Sequence, residues 1–160
     1  MGEGKAVKMW RRRSRLVARD YAFQGGRRDD VYSPASSTHL LRMLPCLYLE
    51  LLSGDGGTIN NTSPDAPVLG CIDFQDAFLQ VSQEEPLRLR LGGSEHIVLR
   101  NISGQRVGAR AWFDHVSKYL QDEFALEFCP LSPCLAKNSK MTALIHVDDM
   151  MIFGGRDYTC

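Results

Sequence analysis

Two apolar runs late in the chain, Thr142-Ala-Leu-Ile-His-Val147 and Met150-Met-Ile-Phe153, are separated only by Asp148-Asp149. Runs this short, rich in aliphatic residues, read as strands, and so brief a break leaves room only for an antiparallel hairpin. The chemistry of the break is unusual. Two-residue hairpin turns favour Asn-Gly, Asp-Gly or other glycine-containing pairs because they need positive φ, and Asp-Asp meets that need poorly. Adjacent carboxylates also repel. They either stand in water as a solvated turn or share a divalent cation that prefers hard oxygen ligands, such as Mg²⁺ or Mn²⁺. A third carboxylate repeats the pattern: Asp73 closes the apolar run Val68-Leu-Gly-Cys-Ile72, which reads as a buried strand. An unpaired carboxylate at the end of such a strand would be costly to desolvate.

The remaining pattern mixes helix and strand. Leu40, Leu41, Leu44, Leu47, Tyr48, Leu51 and Leu52 recur at helical spacing over about 38–52, with Ser36, Ser37 and Thr38 as capping candidates and Pro45 expected to kink or shorten the helix. Residues 53–67, rich in Gly, Asn and Pro, read as a long loop. Leu87, Leu89 and Leu91 alternate with Arg88 and Arg90 as a half-buried strand, and Ile97-Val-Leu99 reads as another. Trp112, Val116, Tyr119, Leu120 and Phe124 mark an amphipathic helix over about 109–128. The expected fold is therefore α+β, a small antiparallel sheet backed by helices. At 160 residues one domain is the default.

Charge is segregated along the chain. Residues 1–28 carry nine basic residues against Glu3 and Asp20, a net +7, and the remainder carries ten basic against seventeen acidic, a net −7. A basic segment of this kind suits phosphate-bearing partners or is a solvated tail. Within it, Arg15 to Phe23 reads as an exposed strand bearing arginines and 24–30 as a turn or loop. Five scattered cysteines, an odd number, argue against a disulfide framework, and the Cys129–Cys134 spacing without a nearby histidine argues against a zinc site. No apolar run approaches the ~20 residues needed to cross a bilayer, and the first residues lack a signal-peptide pattern. The expectation is an intracellular protein, cytoplasmic or nuclear, with no membrane partner.

Taken together, these segments resemble the reverse transcriptases of copia-type LTR retrotransposons. Asp73-Phe-Gln-Asp-Ala-Phe-Leu79 and His146-Val-Asp-Asp149 resemble motifs A and C of reverse transcriptases. Arg13-Ser-Arg-Leu-Val-Ala-Arg19 is similar to the copia-type K-A-R-L-V-A-R, and Val31-Tyr-Ser-Pro34 to T-F-S-P, with Arg42 matching an arginine that follows. Glu84-Glu85 before Leu87 to Leu91 is similar to E-E-V-Y-M, Arg110-Ala-Trp112 to the end of L-K-Q-A-P-R-A-W, and Ser132-Pro-Cys-Leu135 to D-P-C-L. The matches are collinear from about Arg13 to Gly154.

The resemblance implies the fingers and palm portion of a right-hand polymerase, with residues 1–12 as a basic N-terminal arm and 13–160 as a partial reverse transcriptase domain. It implies RNA-directed DNA polymerase activity by two-metal nucleotidyl transfer. Asp73, Asp148 and Asp149 would be catalytic and would hold Mg²⁺ or Mn²⁺. Phe78 would lie under the sugar and select deoxynucleotides, and Asp76 and Ala77 would offer backbone N–H groups to the triphosphate at a helix start. Arg13 and Arg15 would touch phosphates from the fingers, and Arg110 would face template or nucleotide. The implied partners are an RNA or DNA template with primer, deoxynucleoside triphosphates, and downstream polyprotein regions (thumb, connection and RNase H) that the 160 residues do not match.

Departures accompany the matches. His146 stands where the family has Tyr, and Val107 and Ala109 replace the Gln and Pro of L-K-Q-A-P-R-A-W, which loosens the expected nucleotide pocket. With the thumb absent, the chain reads as a truncated or decayed copy. The alternative is a non-catalytic nucleic-acid-binding remnant or domesticated fragment that works through its basic segment and does not need Asp73 or Asp148.

Overall fold

The computed structural model describes residues 14–20, 31–53 and 68–154, the side chains of 51–53 excepted. Arg13, the basic arm 1–12 and most of the loop expected at 53–67 lie outside the described residues. Those described form a small α+β domain with two helices and two antiparallel sheets.

The helices are α1, Thr38–Ser53, and α2, Gly108–Phe124. Seven strands follow the order β1 Val68–Asp73, β2 Ser82–Leu91, β3 Ser94–Arg100, β4 Glu127–Cys129, β5 Ser132–Lys137, β6 Met141–His146 and β7 Asp149–Gly154. The main sheet runs β1-β7-β6-β5-β4, and β2 pairs with β3 in a separate ribbon. Gly92 and Gly93, both at positive φ (56° and 88°), close that ribbon, supplying the backbone that a two-residue hairpin turn requires.

Alternation along β6 and β7 divides the core in two. Ala143, Ile145, Met150 and Ile152 pack with Trp112, Val116 and Leu120 of α2. Their neighbours Leu144 and Met151 pack with Leu40, Leu41 and Leu44 of α1, and Tyr48 meets Phe153 edge-on at 5.7 Å. The sheet therefore lies between the two helices, with both faces of its centre covered.

Two expectations are corrected. The second helix ends at Phe124 rather than near 128, because Ala125 turns left-handed (φ 50°) and its N–H bonds back to the Gln121 carbonyl. The Phe124 carbonyl is taken by the Asn138 side chain at 2.8 Å, and 127–129 becomes strand β4. Pro45 lies inside α1, and the Ser37 hydroxyl accepts the Leu40 N–H at its start. The described residues of the arginine-bearing segment, 14–20, form no strand. They are held by the Ala18 N–H on the Ser103 carbonyl (2.8 Å) and by the Arg106 N–H on the Asp20 carboxylate (3.0 Å).

Candidate functional site

The late hairpin forms, but its turn is shifted by one residue. His146 pairs with Asp149, so Val147 and Asp148 are the turn and Asp149 is the first residue of β7. Of the two turn residues only Val147 has positive φ, 56°, the pattern of a type II′ turn. A β-branched residue at that angle is a backbone outlier.

Each residue of this hairpin end is gripped by a different element. The Ser36 hydroxyl and the His146 Nδ1 are 2.7 Å apart. The Trp112 indole N–H donates to the Val147 carbonyl at 2.6 Å. The Phe74 N–H donates to the Asp148 carbonyl at 2.8 Å. Chain segments from before α1, from α2 and from the end of β1 thus meet on three consecutive residues. Phe74 also packs edge-on against Trp112 at 5.2 Å, which ties two of the grips together.

The register of β1 on β7 places Asp73 directly opposite Asp149, and β6 places His146 on the other side of Asp149. Directly opposed residues project from the same face with Cβ atoms about 4.5–5.5 Å apart. Asp73, Asp149 and His146 form one row across three strands, on the face that carries Met151 and Phe153. Asp148 sits at the turn beside the row. The sequence residues 73 and 148–149 are therefore brought to one end of the sheet.

All three carboxylates are exposed, which corrects the expectation of costly burial at the strand ends. Among the described residues, no three His, Cys, Asp or Glu side chains are grouped so as to hold one metal ion. Asp73 and Asp149 supply hard oxygen donors side by side, but as placed they do not form with Asp148 the set that a two-ion centre requires.

The other expected residues are dispersed. The helix anticipated after Asp76 is a single 3-10 turn, Ala77–Gln80, with Asp76 left-handed (φ 54°) and exposed. So short a turn has little dipole to attract a phosphate. Ala77 is buried and Phe78 half-buried, both packed into the α2 core, with the Phe78 ring close over Gly108. Arg110 is engaged at the start of α2: its Nε donates to the Asp114 carboxylate at 2.7 Å and its Nη1 to the Tyr32 carbonyl at 3.4 Å. The Asp114 hydrogen bond and then its charge raise the guanidinium pKa further. Arg15 and Arg19 are exposed on the segment laid across Ser103 and Gly104.

Sequence reading missed Trp112, Ser36 and Gly104 as site-builders. Trp112 carries the ordinary signature of a helix-core residue, and Ser36 that of a capping candidate. Only Gly104 left a local trace, because glycine commonly marks positive φ or close backbone approach. Its φ is +87°, and a Cβ there would run into the Ala18 carbonyl and the Val17 side chain.

No family model matches the chain, and no curated protein or solved structure matches it either. The likeness to reverse transcriptases rests on the motifs quoted above.

Proposed function

We propose that this chain is a nucleic-acid-binding module of reverse-transcriptase descent that contacts phosphates through its N-terminal basic segment and does not depend on its carboxylates. The observation that carries this reading is the contrast between two groups of side chains. Arg15 and Arg19 stand exposed on a stretch held by the Ala18 backbone N–H and the Asp20 carboxylate. The carboxylates, by contrast, are solvated and form no three-donor group among the described residues. Two exposed guanidinium groups on one held stretch suit phosphates along a single strand.

A second reading, an RNA-directed DNA polymerase fragment of a copia-type retrotransposon using Mg²⁺ or Mn²⁺, is favoured by one relationship: Asp73 stands opposite Asp149, beside Asp148. The two readings separate in one experiment. Fluorescence anisotropy with a labelled single-stranded RNA is run over a salt series on the full chain and on Asp73→Asn/Asp148→Asn, alongside primer extension on poly(rA)/oligo(dT) with Mg²⁺ or Mn²⁺. Salt-sensitive binding that survives the double substitution, without extension, supports the binding module. Extension that the substitution abolishes supports the polymerase, and absence of binding at low salt sinks the first reading.

A further inference from the structure

The left-handed Val147 has no local cause. The residue is β-branched and 41% exposed, so neither its own propensity nor its own packing favours φ 56°. What distinguishes a type II′ turn from a type I′ turn is the orientation of the central peptide, whose carbonyl here belongs to Val147. That carbonyl is the one held by Trp112, at 2.6 Å. Trp112 is 4% exposed, and a buried indole N–H needs an acceptor. Its ring is fixed by the α2 core and by Phe74, whose own N–H binds the next carbonyl, that of Asp148.

We propose that Trp112 is the positioning residue of the carboxylate turn: its indole N–H fixes the Val147–Asp148 peptide and so sets how Asp148 and Asp149 stand beside Asp73. The proposal rests on the second reading, in which these carboxylates are a site. It is tested on backbone geometry, so its failure is distinct from absence of polymerase activity. Strained turns persist where surrounding contacts over-determine them, and here three elements do so.

The experiment is amide hydrogen exchange followed by NMR on the full chain. In the unmodified protein the Trp112 indole N–H exchanges at least about a hundredfold more slowly than a solvent-exposed indole, as a buried bonded group must. Trp112→Phe keeps an aromatic ring but lacks the donor, and the Phe74 amide, which reports the seat of Asp148, then exchanges about tenfold faster. Adding Val147→Gly to that variant returns the Phe74 rate to within about twofold, because glycine takes positive φ without help. Thermal unfolding shows which variants remain folded. An unprotected indole in the unmodified protein overturns the proposal. So does an unchanged Phe74 rate in folded Trp112→Phe, or failure of Val147→Gly to restore it in a folded double variant. If Trp112→Phe does not fold, the indole exchange of the unmodified chain decides alone.

Discussion

Asp73 and Asp149 face each other across the β1–β7 ladder, two like charges at adjoining positions of one sheet face. Directly opposed like charges weaken a strand pair. Asp73→Asn is therefore expected to stabilise the fold, by about 0.2–1 kcal/mol in low salt and by less when salt screens the pair. Urea unfolding at two ionic strengths measures this. No gain in low salt would mean that the two carboxylates already escape each other.

Arg15 and Arg19 are expected to act on phosphates as point contacts. Arg15→Ala/Arg19→Ala lowers affinity for single-stranded RNA and reduces the slope of log affinity against log salt by up to about 2. The effect is similar across RNA sequences, since phosphate contacts carry no base information. A double variant that keeps the parental slope would remove these arginines from the interface.

Gly104 makes the seat for the arginine segment. Gly104→Ala forces a Cβ against the Ala18 carbonyl at a φ of +87°, costing about 1–3 kcal/mol locally. The expected outcome is faster tryptic cleavage after Arg15 and Arg19, with the α2–sheet core intact by circular dichroism. Cleavage at the parental rate would show that the segment is not held there.

Ser36→Ala removes the hydroxyl that meets His146 Nδ1 across 110 residues of sequence. The loss is expected to cost about 0.5–1.5 kcal/mol in urea unfolding. Ser36→Thr, which retains a hydroxyl, should recover part of it. Equal loss in both variants would assign the effect to packing of this buried position instead.

Cys134 is buried in the α1 core, and burial pushes its thiol pKa above the ordinary value. Cys46 and Cys71 are exposed. Under native conditions at pH 8, a thiol reagent is expected to modify Cys46 and Cys71 well before Cys134, as peptide mapping would show. Because the folded pKa is raised, the unfolded chain ionises first as pH climbs. This thiol's contribution to stability is therefore full below its ordinary pKa and is lost as pH rises through the folded value. Early labelling of Cys134 would contradict its burial.

The apolar runs at 142–147 and 150–153 dictated a hairpin by themselves, because segments so short and so close can bury their side chains only by pairing. The helix at 38–53 and the alternating Leu87, Leu89 and Leu91 were legible for the same reason, a periodicity written in consecutive residues. Strands β4 and β5 were not, since neither 127–129 nor 132–137 carries enough alternation to be distinguished from loop, and the pairing of β5 with β6 and of β4 with β5 supplies what the local pattern lacks.

The position of the turn was likewise decided elsewhere. Placing it at Asp148-Asp149 would set His146 against Met151. Placing it at Val147-Asp148 sets Leu144 against Met151 in the α1 core and leaves His146 to Asp149 and to Ser36. Both registers keep the apolar residues on the same faces, so hydrophobic alternation does not separate them. The polar groups do, above all the buried indole of Trp112, which needs an acceptor and finds one at Val147. Local sequence fixed that there would be a carboxylate-bearing hairpin. Contacts from residues 36, 74 and 112 decided its shape, because a hydrogen bond between distant segments exists only after the chain has brought them together.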